Sequence, residues 1–251
     1  MRPDIDPTTL LALWGAALGR PAGVRADVLL RAADADADAD ADTGAHAPSG
    51  RTLGQRNAGL VELHARLFGR EIELLSHCPA CATAAHFSGD CDTLAAQMRP
   101  PFDHPPPHRL QAHGYEIAFR LPADDDIAAA SRDEADFVGL LLERCVLACT
   151  HEGEGVPSRQ VPAPVLDALS QRMETLDPGA RVSFALDCPQ CATRWEAPLD
   201  VGEMVWQKVQ AGAERVLLDI DVLARSYGWT EHEILRLDPL RRAAYLQMVT
   251  A

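Results

Sequence analysis

The sequence predicts an α+β fold: a small β core built from two duplicated strand–CPxC–strand units, surrounded by helices, with a long C-terminal helix and a helix-turn-helix-like end. Three observations predict it. The pattern Cys-Pro-x-Cys-Ala-Thr begins at Cys78 and again at Cys188, 110 residues later, and both copies reach an Asp at the same offset, Asp90 and Asp200. Apolar residues alternate on either side of each copy, the period of a half-buried strand. Beyond Asp200, Val201, Val205, Val209, Val216, Ile220, Leu223 and Tyr227 recur at spacings of three, four or seven, the stripe of an amphipathic helix running to about Ser226.

The elements follow in chain order. Residues 1–31 read as short helices: Thr8 or Thr9 can cap the first, Gly19-Arg20-Pro21 ends it, and Val24 to Arg31 continues as a second. Residues 32–50 open with an Ala-Asp alternation whose five Asp (34, 36, 38, 40 and 42) repel one another, while Ala buries too little to offset the ordering entropy. A disordered linker is expected there, and the alternation lacks the ligand spacing of a calcium loop. Residues 51–251 are expected to form a single α+β domain, with the CPxC units at about 71–91 and 181–200 and the C-terminal helices over 200–251.

Within that domain Leu53, Leu60, Leu63, Leu67 and Phe68 stand at helical spacing before Gly69, a natural stop. His64 lies in this helix with no second His at i+4, so it reads as packed rather than ligating. Ile72 and Leu74 start the strand into the first CPxC. Residues 99–114 hold five Pro and read as a loop, which leaves His104, His108 and His113 without regular backbone to fix them as ligands. Tyr115, Ile117, Phe119 and Leu121 alternate as a strand that Pro122 ends, and Asp124 to Asp126 can cap the next helix. A longer helix is expected over 134–149, with Phe137, Leu141, Cys145 and Cys149 on one apolar face and both cysteines serving as small hydrophobes. A further helix covers about 162–176, and Val182, Phe184 and Leu186 lead as a strand into the second CPxC.

After the second CPxC, Trp195, Ala197 and Leu199 alternate inward, and Ala85 and Phe87 hold the matching places after the first. The same alignment puts Cys91 opposite Val201, so Cys91 reads as core. Two CxxC turns supply four sulfurs, the tetrahedral set of a structural zinc ribbon, with Cys78, Cys81, Cys188 and Cys191 as ligands and no position left for a catalytic water. Pro79 and Pro189 pre-set φ in these turns. Zinc knuckles favour Gly after the second Cys, where φ is positive, yet Ala82 and Ala192 stand there, a strain of ~1 kcal/mol each. A metal-free relic of a zinc ribbon is the alternative to a zinc-loaded one. A redox CxxC would open a helix, and here strands follow.

Acidic residues outnumber basic ones 37 to 23, for a net charge of −14, which repels phosphate backbones and anionic lipid. The apolar run from Leu10 to Leu18 is far too short to span a bilayer and follows Asp4 and Asp6, so neither a membrane span nor a signal peptide is expected. Seven Cys, an odd number with two CxxC pairs, fit the reducing cytoplasm. Motifs for a Ser/His/Asp set, a phosphate-binding Gly loop or HExxH are not found, so no enzymatic activity is expected.

Gly228 stops the long helix, Thr230 and Glu233 match a capping box, and Asp238-Pro239 opens a last helix. This end looks superficially like a helix-turn-helix, but residues 200–251 carry six Lys/Arg against eight Asp/Glu, where a DNA reader needs a basic face. It resembles more closely the C-terminus of the baseplate hub assembly chaperone family of T-even phages and related contractile injection systems. Leu223-Ala224-Arg225, Tyr227-Gly228-Trp229, Glu233-Ile234-Leu235, Leu237, Arg241-Arg242 and Tyr245-Leu246 carry that resemblance. Arg56-Asn57, Leu67-Phe68-Gly69, the two CPxC turns, Phe119-Arg120-Leu121-Pro122, Leu141-Leu142, Arg144-Cys145 and Trp195-Glu196 extend it in order over residues 51–251. The resemblance implies a small cytoplasmic protein with no catalytic residues that helps baseplate or hub proteins of a contractile tail assemble. Trp229, Leu237 and Tyr245 are the expected partner contacts, since aromatic anchors at a helix corner suit an interface; packing of the corner itself is their alternative role. Two other classes stay open: a zinc-ribbon adaptor that binds nucleic acid through its C-terminal helices, and a thiol enzyme using a CxxC.

Overall fold

In the computed structural model, residues 6–39, 51–99 and 106–250 are described. Asp6 caps α1 (Pro7–Ala17) by accepting the Thr8 and Thr9 N–H groups, so the cap lies just upstream of the expected Thr8 or Thr9. The next helix, α2 (Ala22–Ala39), runs past Arg31 into the segment expected as a linker. Ala is the strongest helix former, and a helix already nucleated by packed residues propagates through alternating Ala and Asp. Residues 40–50 of that segment lie outside the described residues.

Thr52 and Gln55 form a capping box for α3 (Leu53–Phe68), and Gly69 stops it at φ 100°. The first CPxC joins β1 (Glu71–His77) to β2 (Ala84–Asp90), an antiparallel hairpin in which Leu74 faces Phe87 and Ser76 faces Ala85. Asp90 then caps α4 (Cys91–Met98). Next come β3 (His108–Ala112) and β4 (Tyr115–Phe119), α5 (Asp124–Ala130), α6 (Phe137–Cys145), β5 (Val146–His151) and β6 (Glu154–Gly155). The second unit is α7 (Ala163–Leu176), β7 (Val182–Asp187), β8 (Arg194–Leu199) and α8 (Val201–Tyr227), capped by Asp200. The chain closes with α9 (Glu231–Leu235) and α10 (Pro239–Thr250).

Two expectations fail between the units. The Pro-rich loop ends early: His108 begins β3 and His113 sits in the β3–β4 turn at φ 52°, while His104 lies outside the described residues. The helix expected over 134–149 stops at Cys145, and Cys149 stands in β5. Both cysteines are buried as expected; four residues along a strand return a side chain to the same face just as four along a helix do. β3, β4, β5 and β6 make a four-stranded antiparallel sheet, and α7 packs on it through Val165 and Leu169 against Ile117, Phe119 and Cys149.

The larger core lies elsewhere. Leu10 and Leu13 of α1, Leu29 and Leu30 of α2, Leu60, Val61 and Leu63 of α3, Ile72 of β1, and Val205, Trp206 and Val209 of α8 bury one another. At Gly212 a Cβ would lie 2.8 Å from Leu10, so the missing side chain lets α1 cross α8 closely. The architecture is the predicted α+β one, with small sheets, encircling helices and a long helix toward the C-terminus. Among the described residues, however, its β structure comprises two hairpins plus a separate four-stranded sheet.

Candidate metal centre

The two CPxC hairpins face each other. Their inward positions alternate: Leu74 and Ser76 on β1, Ala85 and Phe87 on β2, Phe184 and Leu186 on β7, Trp195 and Ala197 on β8. Phe87 and Phe184 meet across the interface with ring centroids 5.0 Å apart, and Trp195 Nε1 donates to Ser76 Oγ at 3.4 Å. A lone two-stranded hairpin is marginal in water, so each hairpin here depends on the other.

At the tips of the hairpins, the sulfurs of Cys78, Cys81, Cys188 and Cys191 lie within 4.8 Å of one another. Two short separations cross between the hairpins: Cys78 to Cys191 is 3.6 Å and Cys81 to Cys188 is 3.5 Å. Four sulfurs at about 2.3 Å from a zinc ion stand about 3.8 Å apart, so the set fits a four-coordinate metal with little adjustment. The two turns are built alike. Cys78 N–H donates to Thr83 O and Ala82 N–H to Cys78 O; in the second copy Cys188 N–H donates to Thr193 O and Ala192 N–H to Cys188 O. Ala82 and Ala192 take positive φ, 57° and 55°, the left-handed corner for which the sequence offers no Gly.

The sulfurs differ in exposure. Cys78 and Cys188 are buried, and Cys81 and Cys191 are exposed. Each exposed sulfur sits 3.2 Å from a hydroxyl two residues on, Thr83 for Cys81 and Thr193 for Cys191. Those hydroxyls lead the stabilisation of the thiolates, pulling Cys191 down to about 6 and Cys81 below its usual value. Cys188 moves up to about 11: the backbone N–H of Cys191 works against the rise, but burial and the neighbouring thiols outweigh it. Metal binding needs all four thiolates, so it releases protons and weakens in acid. The threonines bear on the sulfurs of the candidate site beyond the four predicted ligands, and their signal was the Thr that ends both copies of CPxCAT.

The described residues contain one group of three or more His, Cys, Asp or Glu side chains able to converge on a metal, the four cysteines. Cys91 and Val201, matched by the repeat, both open helices and both are buried. The Cys91 sulfur lies 3.6 Å from His64 Nδ1, and burial pushes the thiol up to about 11 and the imidazole down, placing both among the core as expected.

Polar residues from the ordered motif series meet inside the fold. Asp126, 1% exposed, accepts from Arg120 at 2.5 and 2.7 Å, from Arg144 at 2.7 Å and from the Ala123 N–H at 3.0 Å. Burial alone would raise this carboxyl, but these partners bring it down to about 2. Asp177, just before the second hairpin, accepts from Gly54 N–H and Thr52 Oγ1 at the start of α3, and Asn57 donates to Gly179 O at 2.8 Å. These bonds tie the helix before the first hairpin to the turn before the second. Sequence reasoning found the arginines and Asn57 only as motif members, because Gly179 is 122 residues from Asn57 and the pairing of Arg120 and Arg144 with Asp126 depends on its burial.

At the C-terminal corner Gly228 adopts φ 70° and the Thr230–Glu233 capping box forms as read. Trp229 stacks on Tyr227 at 4.6 Å, and Tyr245 meets both edge-on. Trp229, Leu237 and Tyr245 are each half-buried; Leu240 and Met248, neither predicted, are exposed large apolar residues of α10. No described helix is long and apolar enough to cross a membrane. Comparison of the chain with family models, with curated proteins and with solved structures gives no match.

Proposed function

We propose that this protein is a non-enzymatic assembly factor or structural component of the baseplate hub of a contractile phage tail or injection system, acting in the cytoplasm on other baseplate or hub proteins. The observation that carries the reading is the ordered motif series over residues 51–251, whose members recur in sequence from Arg56-Asn57 to Tyr245-Leu246. The character of the sites supports it. The four-cysteine cluster has every coordination position filled by protein, which suits a structural role rather than a catalytic one. Zinc would be held by Cys78, Cys81, Cys188 and Cys191 and would supply four metal–sulfur bonds joining the hairpins.

The partner surface is the C-terminal corner, with Trp229, Leu237 and Tyr245 as contacts. They sit half-buried at a corner whose backbone is fixed by a left-handed glycine and a capping box, and the mutually packed rings of Trp229 and Tyr245 lose little entropy on binding. The test is co-purification with baseplate hub proteins of a contractile tail. Removing residues 229–251 abolishes recovery of a hub protein while the remaining chain keeps a cooperative unfolding transition and its metal. Unchanged recovery overturns the partner surface, and salt-sensitive DNA binding at moderate salt in place of hub binding overturns the function.

A further inference from the structure

We infer that the four cysteines are also an oxidation site, at which a peroxide joins Cys81 to Cys188 and Cys78 to Cys191, so that two disulfides across the hairpins take over from the metal. The pairing follows from three features of the cluster. First, two pairs of sulfurs from opposite hairpins lie close together, Cys81 and Cys188 at 3.5 Å and Cys78 and Cys191 at 3.6 Å. Second, each of these pairs contains one exposed sulfur, Cys81 or Cys191, and one buried sulfur, Cys188 or Cys78. The exposed member meets the oxidant and the buried member resolves it. Third, the turns themselves are closed by backbone bonds from Cys78 N–H to Thr83 O and from Cys188 N–H to Thr193 O, so the two cysteines of one knuckle are held in a fixed loop while sulfurs of opposite hairpins face each other.

The chemistry balances with peroxide as the only oxidant. The Cys81 sulfur attacks one peroxide oxygen and the O–O bond breaks, giving a sulfenic acid and one water. The Cys188 sulfur then attacks the Cys81 sulfur; the S–S bond forms, the S–O bond breaks, and the hydroxyl leaves as a second water with one proton. Cys191 and Cys78 repeat the sequence. With a divalent metal bound, two peroxides and four protons convert four thiolates into two disulfides, four waters and the free ion. The link between the hairpins therefore survives loss of the metal, and the net charge of the cluster goes from −2 to zero.

The inference rests on sulfur geometry and stands apart from metal occupancy. The full-length protein, both as isolated and after chelation under reducing conditions, is treated with hydrogen peroxide, alkylated and digested with trypsin without reduction. No Lys or Arg separates the cysteines of either knuckle, so each knuckle leaves as one peptide. The expected result is the two knuckle peptides recovered as one species, four hydrogens lighter than the reduced pair. Separate peptides, each two hydrogens lighter or carrying added oxygen, overturn it. In Cys78→Ser the expected species is joined through Cys81 and Cys188, with Cys191 alkylated; Cys81 joined to Cys191 overturns the assigned partners. In a metal-loaded sample two peroxides are consumed per ion released. Cross-hairpin pairing in a protein isolated without metal overturns the zinc reading alone, whereas a metal-loaded protein that oxidises within each knuckle overturns the pairing alone.

Discussion

The first and second units share more than their cysteines. α3 starts at Leu53 and α7 at Ala163, β2 at Ala84 and β8 at Arg194, α4 at Cys91 and α8 at Val201, each pair 110 residues apart. Asp90 and Asp200 cap the following helices through the same bond, to the N–H three residues on, at 2.9 Å in both. The units part company in what their helices bury. α3 lies in the main core while α7 covers the four-stranded sheet, and α4 ends at Met98 while α8 runs 27 residues to the C-terminal corner. They also trade side-chain size across the hairpin interface: Phe87 matches Ala197, Trp195 matches Ala85, and Leu186 matches Ser76. Two identical hairpins facing each other would set bulk against bulk; here the Trp195 indole reaches over the small Ser76. Shared backbone and caps build the cysteine corner, and divergence in side chains packs it.

The largest effects come from breaking what the units hold in common. If the corner is one site, Cys78→Ser and Cys188→Ser behave alike, each leaving less than about 0.2 zinc per chain in metal analysis and a lower melting temperature. Retention of full metal in either variant shows that a single knuckle suffices.

Next is the segment that joins the units. Asp126→Asn leaves Arg120 and Arg144 without their buried carboxylate and should cost about 3 kcal/mol in denaturant unfolding. The folded carboxyl titrates near 2, below its unfolded value of 3.8, so its stabilisation is fully present above about pH 4 and is lost as pH falls toward 2. The variant should lose that acid-side slope, and a cost under about 1 kcal/mol would make the cluster a surface-like pair.

The size trade can be reversed. Phe87→Ala and Ala197→Phe each cost about 2 kcal/mol, the first by a cavity and the second by overpacking. Because Phe184 touches Phe87 and faces Ala197 across its hairpin, the double variant should recover at least about 1 kcal/mol of the summed loss. Strict additivity would show that the two positions do not share a packing site.

Importing the second unit's residue into the first gives a smaller effect. Cys91→Val puts a somewhat larger apolar side chain in a buried position and should cost about 1 kcal/mol with zinc content unchanged; loss of zinc would make Cys91 a ligand. Smallest of all, Ala82→Gly and Ala192→Gly relieve a left-handed backbone at the expense of unfolded-chain entropy, for a net gain of about 0.5 kcal/mol each. Destabilisation in one copy alone would show that the turns are not equivalent.

The sequence made the corner legible because its signals are local: two cysteines, a proline, an alternating strand and a capping Asp all act within a dozen residues. The long helix was legible for the same reason, down to its Gly228 stop and the Thr230 capping box. What escaped depends on distant partners or on coincident periods. β3 hid behind five prolines, and β5 hid because Cys145 and Cys149 share a face in either geometry. The Ala-Asp run was read from its charge, whereas its first half continues a helix anchored by Leu29, Leu30 and Ala33 in the core. Asp177 carried no sequence mark at all, since its role depends on Gly54 arriving from the other unit.

The separation of the two knuckles along the chain also sets an order of events during synthesis. At about 5–20 residues per second, the ribosome takes roughly 5–20 s to go from Cys78 to Cys188. Throughout that interval the nascent chain presents two sulfurs of a four-sulfur site, and the Phe87 ring lacks the Phe184 that will cover it. Closure must wait for the far half and must bring together ends of a long loop. The cysteine corner is thus a late step of folding, and so is completion of the main core, since Val205, Trp206 and Val209 of α8 follow the second hairpin.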